Sequence, residues 1–174
     1  IPGDAVLFDD SASVASPITV TLGVTANPAS VTASNVTKNY IINGAGKIGG
    51  ATGLTKNGAG TLTLGFSGVN SYTGTTAILA GKLALGAANQ MPDVSDVNVS
   101  SAGILDLAGL AETINGLGGA GVVTNAVGNT FTFTVGSGNS GGTFSGVIRS
   151  SAGTMSLAKI GTGTLILTGG NRYT

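Results

Sequence analysis

Gly53-Leu54-Thr55-Lys56-Asn57-Gly58-Ala59-Gly60-Thr61-Leu62-Thr63-Leu64 recurs as Ser156-Leu157-Ala158-Lys159-Ile160-Gly161-Thr162-Gly163-Thr164-Leu165-Ile166-Leu167, 103 positions on (Lys56 to Lys159). After a difference of two residues in length, Asn70-Ser71-Tyr72-Thr73 matches Asn171-Arg172-Tyr173-Thr174. The first copy runs on into Gly74-Thr75-Thr76-Ala77-Ile78, and the second stops in mid-motif, which predicts that the chain continues in a longer parent. A repeated strand–corner–strand unit cannot bury its apolar face alone, so it points to coils stacked on coils.

The surroundings agree with that reading. Ala5 to Phe8, Ile18 to Leu22, Lys82 to Leu85, Val97 to Val99, Ile104 to Leu107 and Phe131 to Val135 alternate apolar with small or polar residues. Period-2 alternation over four or five residues predicts half-buried strands, and no window predicts a helix. Between the strands lie Asn43-Gly44-Ala45-Gly46, Gly118-Gly119-Ala120-Gly121 and Gly136-Ser137-Gly138-Asn139, where a sharp corner is sterically cheap.

The expected fold class is all-β, a right-handed parallel β-helix (solenoid), with a β-sandwich as the alternative. One sandwich has no need for two copies of a unit 103 residues apart, whereas a solenoid does. Coils of about 20 to 25 residues imply roughly seven or eight of them, a rod about 35 Å long at the usual strand spacing. Residues 1–39 are expected to be an N-terminal β segment forming the first coils. Residues 40–174 are expected to be the β-helix proper, with repeat units at 53–76 and 156–174.

The Lys-x-Gly-x-Gly-Thr-Leu-x-Leu…Asn-x-Tyr-Thr unit resembles the autotransporter-associated β-strand repeat, also called the passenger-associated transport repeat. The residues that carry the resemblance are Lys56, Gly58, Gly60, Leu62, Leu64, Asn70 and Tyr72, and Lys159, Gly161, Gly163, Leu165, Leu167, Asn171 and Tyr173. Gly3-Asp4 with Phe8-Asp9-Asp10 is similar to what precedes such repeats in large bacterial surface proteins. The resemblance implies a parallel β-helix in the passenger of a type V secreted protein, at the cell surface or outside the cell, with the repeat linked to export.

Composition excludes much else. Seven basic and seven acidic residues are scattered singly along 174, so there is no stripe of the kind that neutralises nucleic-acid phosphates. No apolar run reaches the length of a membrane span, and the girdled strands of a translocator barrel are missing. His and Cys are absent, which removes the commonest general base and the thiolate metal ligands. No cofactor is expected and the chain is read as a non-enzyme.

The remaining candidates each have a plainer reading. Asp93, Asp96 and Asp106 are too few and too spread for a polysaccharide-cleaving pair; Asp93 and Asp96 read as turn residues and Asp106 as outward-facing. Asp4, Asp9 and Asp10 could supply oxygen ligands to Ca²⁺ but match no calcium-loop spacing, and read as turn residues. Gly58-Ala59-Gly60 and Gly161-Thr162-Gly163 read as corners rather than phosphate loops. Lys56 and Lys159 are expected to be solvated or bonded to turn carbonyls. Tyr72 and Tyr173 are expected to pack on a neighbouring coil rather than stack on sugars, and the sequons at Asn35 and Asn98 carry no weight. The expected function is a structural and adhesive passenger or stalk segment. A self-assembling filament or sheath subunit is the alternative, and a polysaccharide-acting enzyme the weakest. The expected partners are host or matrix surfaces and further copies meeting at coil ends or strand edges.

Overall fold

The computed structural model describes residues 3–173; Ile1, Pro2 and Thr174, the first and last residues of the expected segments, lie outside the described residues. Within them every regular element is a strand. The first coil holds β1 (Ala5–Phe8) and β2 (Ile18–Thr21), and the second β3 (Ser30–Ser34), β4 (Tyr40–Gly44) and β5 (Gly49–Gly50). The third holds β6 (Leu54–Asn57), β7 (Thr61–Phe66) and β8 (Ser71–Tyr72), and the fourth the long strand β9 (Thr76–Leu85). The fifth holds β10 (Val97–Asp106) and β11 (Glu112–Ile114), and the sixth β12 (Leu117–Gly119), β13 (Val122–Asn125) and β14 (Thr130–Val135). The seventh holds β15 (Gly142–Phe144), β16 (Val147–Ser150) and β17 (Thr154–Lys159), and β18 (Leu165–Leu167) opens an eighth.

These strands stack into three faces. Face A runs β1-β3-β6-β9-β10-β12-β15-β18, and face B runs β2-β4-β7-β9-β10-β13-β16. Face C is made of β5-β8 and, further along, β11-β14-β17. All the strand pairs among the described residues are parallel, which rules out the antiparallel sandwich and gives the parallel β-helix. Residues one coil apart differ by 25 positions at Ala5 and Ser30 and by 20 at Val97 and Leu117. At about 4.8 Å per coil, the eight strands of face A span about 34 Å. The division expected at residues 39 and 40 falls inside the second coil, between β3 and β4, and strands on both sides of it join one sheet.

Alternation decides what goes inside. On face B, Tyr40, Leu62, Leu83, Leu105, Val123 and Ile148 stand one above another in register, all buried. On face A the same holds for Val31, Leu54, Thr76, Val97 and Leu117. A side chain of this size fully withdrawn from water contributes about 1.5 to 3 kcal/mol, so each coil added to the stack is stabilised by the one beneath.

The corner between faces A and B sets how closely the coils approach. β9 and β10 pass through it without a break, bending at Gly81 and Gly103, which are register partners. A Cβ on Gly81 would overlap the carbonyls of Gly58 and Gly60, and one on Gly121 those of Ser100 and Gly103. Likewise a Cβ on Gly146 would overlap the Gly121 carbonyl, and one on Gly169 that of Gly146. A line of glycines therefore runs along this corner, each resting on the carbonyl of the coil before.

Gly81 also has a φ of 68°, a conformation that costs an L side chain roughly 1 to 2 kcal/mol before any overlap. Gly81→Ala is expected to lower unfolding stability by at least about 2 kcal/mol in urea titrations. Gly68→Ala, where a Cβ meets nothing within 4 Å, should stay within about 0.5 kcal/mol of the parent. Equal effects at the two positions would refute the packed corner.

Candidate functional site

The two copies of the repeat build the same local object. In the first, Lys56 stands one residue before the end of β6 and turns its ammonium back on the corner, donating to the carbonyls of Asn57 at 2.9 Å and Gly58 at 2.8 Å. In the second, Lys159 ends β17 and its Nζ donates to the carbonyls of Ile160 and Gly161. Gly58 and Gly161 have φ values of 80° and 66°, and a Cβ on either would overlap a carbonyl of the coil before. Further along, Asn70 Oδ1 accepts from Ile48 N at 2.7 Å and Asn171 Oδ1 from Ile148 N at 2.8 Å. Leu62 and Leu64 are wholly buried, whereas Leu165 and Leu167 are half-buried at the last coil.

The copies do not sit on the same faces. The first runs from face A (β6) around the corner to face B (β7), while the second runs from face C (β17) to face A (β18). From Leu54 to Leu157 the chain makes four coils and then two further faces. The repeat thus encodes a corner, and its local geometry recurs at the two different corners that the copies occupy.

Environment separates the two lysines. Lys56 takes an inward position between Ala33 and Ile78 in the stack, is wholly buried, and gains a third acceptor, Ala80 O at 3.3 Å, from the following coil. Ala33 is small enough to leave room for the lysine stem. Burial pushes the Lys56 pKa down to about 8, and the three carbonyls keep the ammonium a bound cation at neutral pH. Lys159 is exposed. The solvated alternative is therefore wrong for Lys56, and the bond to turn carbonyls describes both.

Tyr72 is wholly buried, and its hydroxyl lies 2.6 Å from Thr76 Oγ1, the one hydroxyl in the inner column of face A. Burial raises its phenol above the ordinary range. It has no surface to offer a sugar. Tyr173 is half-buried against the same core.

Asn70 of the repeat and two buried polar side chains that no motif marks, Gln90 and Glu112, form a ladder where face B turns into face C. Asn70 donates to Gln90 O at 2.7 Å. Gln90 accepts from Phe66 N at 2.7 Å and donates to Ala88 O at 3.0 Å. Glu112 accepts from Gln90 N at 2.7 Å and from Met91 N and Thr113 N at 3.4 and 3.2 Å. Each member saturates the backbone of the coil before it, at a place where the strand ladder is interrupted. The signal in the sequence was the spacing, since Asn70, Gln90 and Glu112 lie one coil apart. Burial holds the Glu112 carboxyl up at about 7 against the three N–H donors, which pull the other way.

The other acidic candidates are turn and corner groups. Asp10 accepts from the backbone of Val36 at 2.9 Å, Thr37 at 3.1 Å and Lys38 at 2.9 Å, which lowers its pKa. Asp9 is lowered by the Ser11 hydroxyl at 2.5 Å. Asp4 is exposed, and among the described residues no three acidic side chains gather as a metal site. Asp93 and Asp96 are exposed, Asp96 accepting from Asn115 Nδ2 at 2.9 Å. Asp106 alternates outward as expected but is not free in solvent: Lys82 covers it at 3.0 Å and Ala108 N donates to it. Asn35 is buried with its amide on Lys38 O and Thr61 O, and Asn98 is exposed on β10.

Two measurements test these assignments. Lys56→Met strands three inward-facing carbonyls and is expected to cost about 1 to 3 kcal/mol in urea unfolding, while Lys159→Met should cost little. Glu112 keeps its proton in the fold up to about pH 7 but loses it near 4.5 when unfolded, so folding stability falls as pH rises between those values. Unfolding free energy should be about 2 kcal/mol greater at pH 5 than at pH 7.5, and Glu112→Gln should flatten that difference.

The passenger-associated-transport-repeat family matches residues 54–85 and 157–174, which contain both corners. The chain is also 36% identical over 126 residues to the adhesin BmaC autotransporter of Brucella suis biovar 1 (strain 1330). That match covers 70% of this chain and 4% of the relative, so the chain spans a small part of the relative's length. No solved structure matches it. The chain is thus a passenger-associated-transport-repeat protein, a parallel β-helix that carries the repeat twice.

Proposed function

We propose that this solenoid is a non-catalytic passenger or stalk segment of an autotransporter-like adhesive protein, exported across the outer membrane and displayed at the cell surface. The observation that carries the reading is the parallel stack of face A, eight strands paired in succession. Such a stack has stiffness along one axis and a side surface of Thr, Ser and Asn, which suits holding other parts of a protein away from a membrane. The autotransporter adhesin matched above supports the same reading. Contacts with host or matrix surfaces belong to this proposal.

Coil-by-coil growth supplies the link to export. Lys56 finds its third acceptor, and Asn70 its Gln90 carbonyl, only when the next coil has formed. A coil that emerges on the outside is therefore fastened to the one already there, and return becomes unfavourable. A second reading is self-association of the isolated chain through its coil ends, where Phe8, Ile18 and Val20 at one end and Leu165 and Leu167 at the other are half-covered. Sedimentation that stays monomeric at high protein concentration would remove it.

Placed between a reporter and an outer-membrane translocator, the chain is expected to bring the reporter to the cell surface, where added protease cleaves it. In X-ray scattering the isolated chain should be a rod about 34 Å long. Retention of the fusion in the periplasm, or a globular scattering profile, would overturn the proposal.

A further inference from the structure

Arg149 and Arg172 are the two arginines of the chain, 23 positions apart in the sequence. The solenoid sets them side by side. They are register partners on face B, bridged through their backbones by Ser150 N to Arg172 O at 3.1 Å and Arg172 N to Ile148 O at 2.8 Å. Both side chains are exposed on the outward row of that face, with Cα atoms one strand spacing apart, about 4.8 Å. Among the described residues the one salt bridge joins Lys82 to Asp106, so no side-chain carboxylate neutralises either arginine. Asp106 stands in the same row, two strands from Arg149, and is already engaged.

Like charges in direct register destabilise a sheet, and guanidinium forks match the oxygens of a carboxylate or sulfate in a bidentate way. The ground beside the pair is open and partly apolar. Two positions before Arg149 stands half-buried Val147, and two before Arg172 stands Gly170, where a Cβ would meet nothing within 4 Å.

We propose that the Arg149–Arg172 pair on face B is a binding site for acidic polysaccharide, taking one carboxylate or sulfate group between the guanidinia with the sugar ring laid over Val147 and Gly170. A duplex nucleic acid carries a charge about every 1.7 Å along its axis and needs a longer cationic track. Among the described residues the positive row is two strands long, and on the side of the earlier coils it is followed by Thr124 and then Asp106. An acidic sugar, with one or two charges per residue and an apolar ring face, fits that short site. The site deepens the adhesive part of the proposed function, and the stalk role is tested separately by scattering.

The test measures binding of the 174-residue chain to heparin oligosaccharides, galacturonate oligomers, neutral dextran and duplex DNA by calorimetry at low and physiological salt. Sulfated or uronate oligomers are expected to bind and dextran not to. Arg149→Gln and Arg172→Gln should each weaken binding about tenfold, and the double variant should abolish it. Lys159→Gln should leave it unchanged, and melting curves should show all variants folded. Binding by heparin alone or galacturonate alone would identify the anion and uphold the site. Failure of both acidic oligomers, binding that survives the double variant, or equal binding of DNA through the same arginines would overturn it. A rod-shaped chain that binds neither oligomer would refute this site and leave the stalk standing.

Discussion

Neighbouring coils touch most closely where a corner glycine lies on a carbonyl of the coil before it, as Gly81 does on Gly60 and Gly146 on Gly121. That contact fixes the height at which each coil rests, and the strand registers on faces A and B follow from it. At any larger separation the parallel ladders would lengthen beyond hydrogen-bonding distance, and the inner columns of Leu, Val and Ile would lose contact. The demand is local, but because every coil repeats it, one wrong side chain at the corner disturbs two faces together.

Sharp corners leave backbone groups facing inward, and the molecule saturates them with long polar side chains. Lys56, Asn70, Gln90, Glu112 and Asn125 all do this from buried positions. A buried polar atom without a partner costs about 1 to 3 kcal/mol, so these residues are tolerated because their bonds reach across coils. The Asn35 Oδ1 atom is an exception, buried with no partner among the described residues.

The architecture was largely legible in the residues themselves. Alternation at Ala5 to Phe8, Ile18 to Leu22 and Phe131 to Val135 marks β1, β2 and most of β14, and the recurring Gly-x-Gly unit distinguishes a solenoid from a sandwich. Burial of the polar residues was not legible. Lys56 occupies an inward slot only because Ala33 beneath it is small, and Glu112 lies inside only because Asn70 and Gln90 are stacked before it. Such facts depend on which residues meet one coil away, and a coil length that drifts between 18 and 25 residues hides that pairing from a reader of the linear chain. The same drift conceals the adjacency of Arg149 and Arg172.

The shift of the repeat from one corner to the next has a geometric result. A unit returning after four coils and two faces presents its outward residues, such as Thr55 in the first copy and Ala158 in the second, toward different compass directions around the rod. Copies spaced this way trace a slow spiral along the shaft, as the threads of a screw do. The two copies thereby show equivalent outward residues on two of the three sides of the shaft.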